Sequence, residues 1–180
     1  MNAFRDDLRQ LVARHLSLVP SPRLVKIVEA MTGFEAGPPS GLQGVPRYTN
    51  IVHGGEHIAT YDSDTDLAWS AAPLPCGDVR WKQATKEAKD CGLLGLDGWR
   101  LPTIKELLSI IDYGRFNPAV DANHFKGPFD WHWSSTPDAS APSDYAWYVY
   151  LSYGNAHRYD QAFHGQVRAV RAGQPLALGI

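Results

Sequence analysis

Apolar and polar positions alternate with two different periods along this chain, and the places where the period changes outline its elements. Near the start, Phe4, Leu8, Leu11 and Val12 recur at helical spacing, and Leu24, Ile27, Val28 and Met31 repeat the pattern after the Pro20-Ser21-Pro22 break. Ser21 as N-cap with Pro22 at the first helical position marks the second start. Each helix carries one apolar stripe and needs a partner surface: the main domain, another subunit or a larger assembly. Residues 34–46, with Gly-Pro-Pro-Ser and no periodicity, read as a linker. RYTNIVH, EHIATY and DLAWS then predict short strands, separated by turns at His53-Gly54-Gly55 and Asp62-Ser63-Asp64.

The period lengthens again where Trp81, Ala84, Ala88 and Cys91 fall on one helical face, with Gly92 placed to take a left-handed C-terminal position. A second helix is expected from the capping-box pattern Thr103-Ile104-Lys105-Glu106, with Ile104, Leu107, Leu108 and Ile111 as its stripe. Gly114 to Pro128 is loop-like, and strands return after it. In AWYVYL, period-two alternation sets Trp147, Val149 and Leu151 on one side and Tyr148 and Tyr150 on the other. The expectation is that the first set packs and the tyrosines are exposed. Strands, two helices, a long loop and strands again describe an α+β domain, not an alternating βαβ one. The organisation expected is a helical segment over 1–33, a linker over 34–46, the main domain over 47–173 and a tail over 174–180.

Composition narrows the function classes. A formal net charge of −2 argues against a phosphate-tracking surface, so nucleic acid is not an expected partner. Charge interrupts every apolar stretch of the N-terminus and no later run reaches membrane-span length, so neither a Sec signal nor membrane insertion is expected. The product is expected to be cytoplasmic when made. Cys76 and Cys91 are the only cysteines, and without an export signal they are expected to be reduced thiols.

Several blocks occur in an ordered series: DLAWS (66–70), the 81–91 helix, GWRLPTIKELLSIID (98–112), WSSTP (133–137), YAWYVYLSYGN (145–155) and VRAVR (167–171). Together they resemble the Lcl-type C-terminal domain family, over roughly Tyr48 to Arg171. That resemblance implies kinship with C-type-lectin-like and formylglycine-generating-enzyme-like domains: a twisted antiparallel sheet flanked by two helices, with long irregular loops. It also implies that Trp69, Trp99, Trp133 and Trp147 bury their rings, and that Arg100 and Glu106 satisfy each other or buried backbone.

The chemistry such relatives perform finds little support in the residues. A formylglycine-generating oxidase needs a late cysteine pair, and no cysteine follows Cys91. Calcium-dependent sugar binding needs Glu-Pro-Asn or Gln-Pro-Asp and then Trp-Asn-Asp; neither tripeptide occurs, and Phe116-Asn117-Pro118 lacks the acidic ligand. No catalytic residue, metal or other cofactor is expected. His124, Asp130 and His132 are the polar cluster that an alternative reading, an intracellular enzyme or regulator using the groove of the fold, would use.

The resemblance extends to the variable proteins of diversity-generating retroelements, in which a template rich in asparagine codons is copied with errors at adenines. The positions expected to face a ligand are Tyr148, Tyr150, Ser152, Tyr153, Asn155, His157, Arg158, Tyr159, Asp160, Ala162, Phe163, His164 and Gly165. Each can be encoded from AAC or AAT by changing only the first two adenines; Gln161 departs from that rule. Tyr, His, Arg and Ser supply rigid contact area and adaptable hydrogen bonds. The function expected is non-enzymatic recognition of a protein or glycan ligand, in a phage or bacterial setting and virion-associated. The N-terminal helices offer a route to a homo-oligomer, and a structural subunit of a particle is a third reading.

Overall fold

The computed structural model describes residues 46–175. The two helices expected before residue 34, the linker up to residue 45 and the end of the tail lie outside the described residues. From Arg47 onward the order is β1 (Tyr48–His53), β2 (Glu56–Asp62), β3 (Leu67–Ser70), α1 (Trp81–Asp90), a 3-10 turn (Leu93–Gly95), α2 (Ile104–Ser109), β4 (Trp131–Pro137), β5 (Tyr145–Tyr150), β6 (Asn155–Asp160) and β7 (Val170–Ala172). The fold is mixed α and β with antiparallel sheets. Among the described residues no helix is long and apolar enough to cross a membrane.

Local signals account for the helices. Thr103 accepts from the Glu106 N–H while the Glu106 carboxylate accepts from the Thr103 N–H, which closes the capping box and starts α2. The same carboxylate takes two hydrogen bonds from Arg100, at 2.6 and 2.8 Å, the pairing expected of these residues. In α1, Ala84 and Ala88 are fully buried, and Gly92 beyond its end has φ +52°, the left-handed conformation expected of it.

The resemblance implied one antiparallel sheet; the structure has two. One has the order β1-β2-β3-β7, the other β4-β5-β6. The segment following β6 serves both. Gly165 bridges Val79 and Gln166 bridges His132 of β4, and four residues on, Val170 joins β3. Residues 167–170 are completely buried between these two pairings.

Two hydrophobic clusters result, and alternation along the central strands divides residues between them. In β3, Ala68 enters a cluster with Ala84, Ala88, Trp99 and Trp133, whereas Leu67 and Trp69 enter a second with Leu107, Ile110 and Phe125. In β5, Ala146 and Tyr148 join the first, Val149 the second. A strand covered on both faces has no display side along its centre. The expectation for AWYVYL holds in part: Val149 and Leu151 are buried as expected, but Tyr148 is only 7% exposed, and Trp147 and Tyr150 are both half-buried. Trp69, Trp99 and Trp133 are buried as implied.

Arg168 ties the core together from within. Its guanidinium is fully buried, donates to the carbonyls of Ser70, Ala71 and Lys126, and lies over the Phe125 ring. No carboxylate is paired with it among the described residues, and burial pulls its pKa down to about 9.

Candidate functional site: an aromatic face on the β4-β5-β6 sheet

Register decides which side chains share a face, because residues directly opposite in an antiparallel pair point the same way. Trp131 is opposite Tyr150 and Trp133 opposite Tyr148; across β5, Tyr150 is opposite Asn155, Tyr148 opposite His157 and Ala146 opposite Tyr159. One face of the sheet is therefore a field of rings. The other carries Val149 and Ala156 at its centre, packed towards α2, with Trp147 opposite Arg158 and Tyr145 opposite Asp160.

The rings touch in series. Phe116 stacks on Tyr153 at 5.1 Å, Tyr153 meets Tyr150 edge-on at 4.9 Å, and Tyr150 stacks on Trp131 at 4.5 Å. Trp131 then stacks on Tyr148 at 4.2 Å, Tyr148 leans on Tyr159 at 5.3 Å, and Tyr159 meets Phe163 edge-on at 4.4 Å. His157 adds an edge contact to Trp131 at 5.6 Å. Most of these separations lie in the range of favourable aromatic pairs, and Trp131–Tyr148 and Tyr159–Phe163 are slightly closer. The ends of the series are open: Phe116 is 78% exposed, Phe163 53%, Tyr153 43% and Tyr159 39%. The middle is held by Tyr148, walled in by Trp131, Trp133 and Tyr159.

The residues expected to face a ligand thus divide. Tyr150, Tyr153, Asn155, His157, Tyr159 and Phe163 belong to the aromatic face or its rim, and Ala162 and His164 are exposed in the turn beyond β6. Tyr148, Ser152 and Gly165 are buried and are corrected to framework positions. The Ser152 hydroxyl donates to the Phe129 carbonyl, and a Cβ on Gly165 would stand 3.0 Å from Trp133 Nε1. Arg158 and Asp160 are exposed on the opposite face. Arg158 pairs with Asp138 at 2.7 Å, donates to Ser140 and reaches over the Tyr145 ring. Its hydrogen bond to Asp138 holds that carboxyl below the usual range.

Gln161, set apart by its codon, is framework as well. Its side-chain amide donates to the Pro142 and Tyr145 carbonyls. Two ring contributors escaped the sequence reading, Trp131 and Phe116. The spacing of Trp131 and Trp133 two residues apart, one face of a strand, was the available signal for the first. Nothing local marks Phe116, which joins through a contact 37 residues along the chain to Tyr153.

The alternative polar cluster does not converge. His124 Nδ1 bonds Asn50 Oδ1, while His132 is completely buried and its Nδ1–H donates to the Asp130 backbone carbonyl. Burial, with the nearby Arg168 charge, pushes His132 down to about 3, so it is a neutral imidazole. Among the described residues no three His, Cys, Asp or Glu side chains are grouped so as to hold a metal. Cys76 and Cys91 are free thiols whose pKa values burial raises, which disfavours the nucleophilic thiolate.

A small α+β domain with two antiparallel sheets and this ordered set of tryptophans defines a class that comparison identifies. The chain belongs to the Lcl C-terminal domain family, whose profile matches residues 59–171. Comparison with curated proteins finds no match.

Proposed function

We propose that this protein is a non-enzymatic recognition protein with a C-type-lectin-like domain, and that the aromatic face of its β4-β5-β6 sheet binds a protein or glycan ligand. The observation that carries the reading is the unbroken series of rings from Phe116 to Phe163, with a buried middle and exposed ends. The outer faces of rings left in water add little to stability, whereas a partner that covers them gains contact area at small entropic cost. Stacking on Trp131 and Tyr148 fixes these side chains in advance of binding, so little ordering remains when a ligand docks. No cofactor enters the reading.

Retroelement diversification belongs to the same proposal, in a narrower form than the codons alone suggest. Tyr150, Tyr153, Asn155, His157, Tyr159, Ala162, Phe163 and His164 are the positions free to vary on or beside the aromatic face; Arg158 and Asp160 vary on the other side of β6. Tyr148, Ser152 and Gly165 are constrained by packing. A phage or virion-associated setting is the biological context proposed for such a protein.

The test is a binding panel of immobilised glycans and purified bacterial surface proteins, probed with the full chain and with a Tyr153→Ala/Phe163→Ala variant. The expected result is a ligand retained by the wild type, released by the variant, with unchanged thermal unfolding. Equal retention by both would place recognition elsewhere. For diversification, sequences of sibling isolates should vary at the exposed positions and not at Tyr148, Ser152 and Gly165.

A further inference from the structure

Among the described residues the β4-β5-β6 sheet has one open edge, and its backbone shows what would close it. On the β4 side, the Trp133 N–H donates to the Gln166 carbonyl and the Gln166 N–H to the Trp131 carbonyl, so that edge is covered. On the β6 side the parity of the ladder can be read from its end. The Gln161 N–H donates to the Asp144 carbonyl, which makes that pair a bonded one. Since bonded and non-bonded pairs alternate, Asn155, His157 and Tyr159 direct their backbone groups at β5, and Ala156, Arg158 and Asp160 direct theirs outward.

The Asp160 carbonyl already accepts from the Phe163 N–H. That leaves the N–H and C=O of Ala156 and of Arg158, together with the Asp160 N–H, as outward groups without a hydrogen-bond partner among the described residues. A row of unpaired strand groups is a template for another strand.

We propose that β6 pairs with β6 of a second copy of this chain, antiparallel, about a two-fold axis through His157. Symmetry selects this register. With the axis at His157, Ala156 faces Arg158 of the other copy in both directions, and the N–H and C=O of both residues satisfy one another. With the axis at Arg158, two arginines would stand directly opposite each other, which is unfavourable. With the axis at Tyr159, bonds would be needed to the Asp160 carbonyl, already engaged by Phe163. In the His157 register the two arginines do not stand opposite each other: Arg158 is drawn back over its own sheet by Asp138 and Ser140 and faces an alanine, while the two His157 rings meet on the axis.

The product is a six-stranded sheet in which both aromatic series lie on one continuous face. Because the bonds are made by backbone, pairing itself requires no particular side chain on β6, and Arg158 enters only in fixing the register. This inference goes beyond the ligand reading and stands or falls separately from it.

Symmetric disulfide trapping tests it. In the full chain carrying Cys76→Ser and Cys91→Ser, single cysteines are placed by His157→Cys, Arg158→Cys and Tyr159→Cys and exposed to mild oxidant. His157 sits on the axis in a non-bonded pair, whose Cα atoms are about 4.5 Å apart, within the range a disulfide spans. The expected result is a covalent dimer several-fold more abundant for His157→Cys than for the other two, with wild-type sedimentation shifting from monomer to dimer as concentration rises. A maximum at residue 158 or 159, equal trapping at all three, or no covalent dimer would overturn the proposal. An oligomer held only by residues outside the described domain would give one of these patterns.

Discussion

At the scale of single residues, the sharpest consequence concerns Tyr148 and Trp147, whose exposures are the reverse of what alternation suggested. Tyr148→Ala removes a ring stacked on Trp131 and packed by Trp133 and Tyr159, and should cost about 3–5 kcal/mol in denaturant unfolding, the range for a large buried aromatic. Trp147→Ala, at a half-buried position, should cost clearly less. Equal losses would show that the two rings contribute alike to packing. His132 gives a pH signature. Its folded-state pKa of about 3 lies far below the ordinary histidine value, so the neutral form's contribution is complete above about pH 6.5 and is lost progressively as pH falls towards the folded value. Between those limits the slope should approach about 1.4 kcal/mol per pH unit from this one group. His132→Gln should flatten that limb of a stability-against-pH curve.

At the scale of elements, sequence reading succeeded where the signal is local and failed where coverage comes from far along the chain. The β1 to β3 strands, their turns, the Gly92 terminus and the Thr103 capping box were all legible, because each depends on residues within a few positions. The capping box also makes a prediction. Burial opposes the charged form of Glu106, but hydrogen bonds from Arg100 and from the Thr103 N–H outweigh it and hold the carboxyl below its usual range. Its contribution is therefore present above the unfolded carboxylate value and lost as pH falls through the lower, folded one. Glu106→Gln should lower stability by about 1–2 kcal/mol near neutrality, the scale of losing a helix cap, with the difference from wild type shrinking in acid. The aromatic face was half legible. Its tyrosines stood out in β5 and β6, but alternation in a lone strand cannot tell that β5 lies between two clusters. Nor could it tell that Arg158 would turn to Asp138, 20 residues earlier.

At the scale of the whole molecule, the two sheets are held by residues 165–170, and Arg168 is the centre of that joint. Its three acceptors come from the end of β3 and from the loop before β4, up to 98 residues away in sequence. Arg168→Met keeps much of the side-chain volume but strands the Ser70 and Lys126 carbonyls, each costing about 1–3 kcal/mol when left unpaired, while the Ala71 carbonyl keeps the Lys126 N–H. The expected outcome is a loss of at least about 2 kcal/mol, with a broadened thermal transition if the sheets begin to unfold separately. A small loss with an unchanged transition would mean that backbone pairing alone joins them. Sequence reading placed this arginine in the VRAVR block without distinguishing it from Arg171, which is half exposed. The difference is made only by the distant carbonyls that converge on it.

Gln161 carries a consequence for how the protein could change length. Its N–H and carbonyl are bonded to Asp144 and Trp81, and its side chain to Pro142 and Tyr145, so both strands and the start of α1 are fastened at one residue. Downstream, Ala162, Phe163 and His164 run exposed until Gly165 is fixed against Val79. Residues inserted after Phe163, whose N–H is held by the Asp160 carbonyl, and before Gly165 would leave β6 and the joint beyond in place. The short turn is thus a port at which the chain could grow, adding a loop beside the aromatic face while the register of every strand stays as it is.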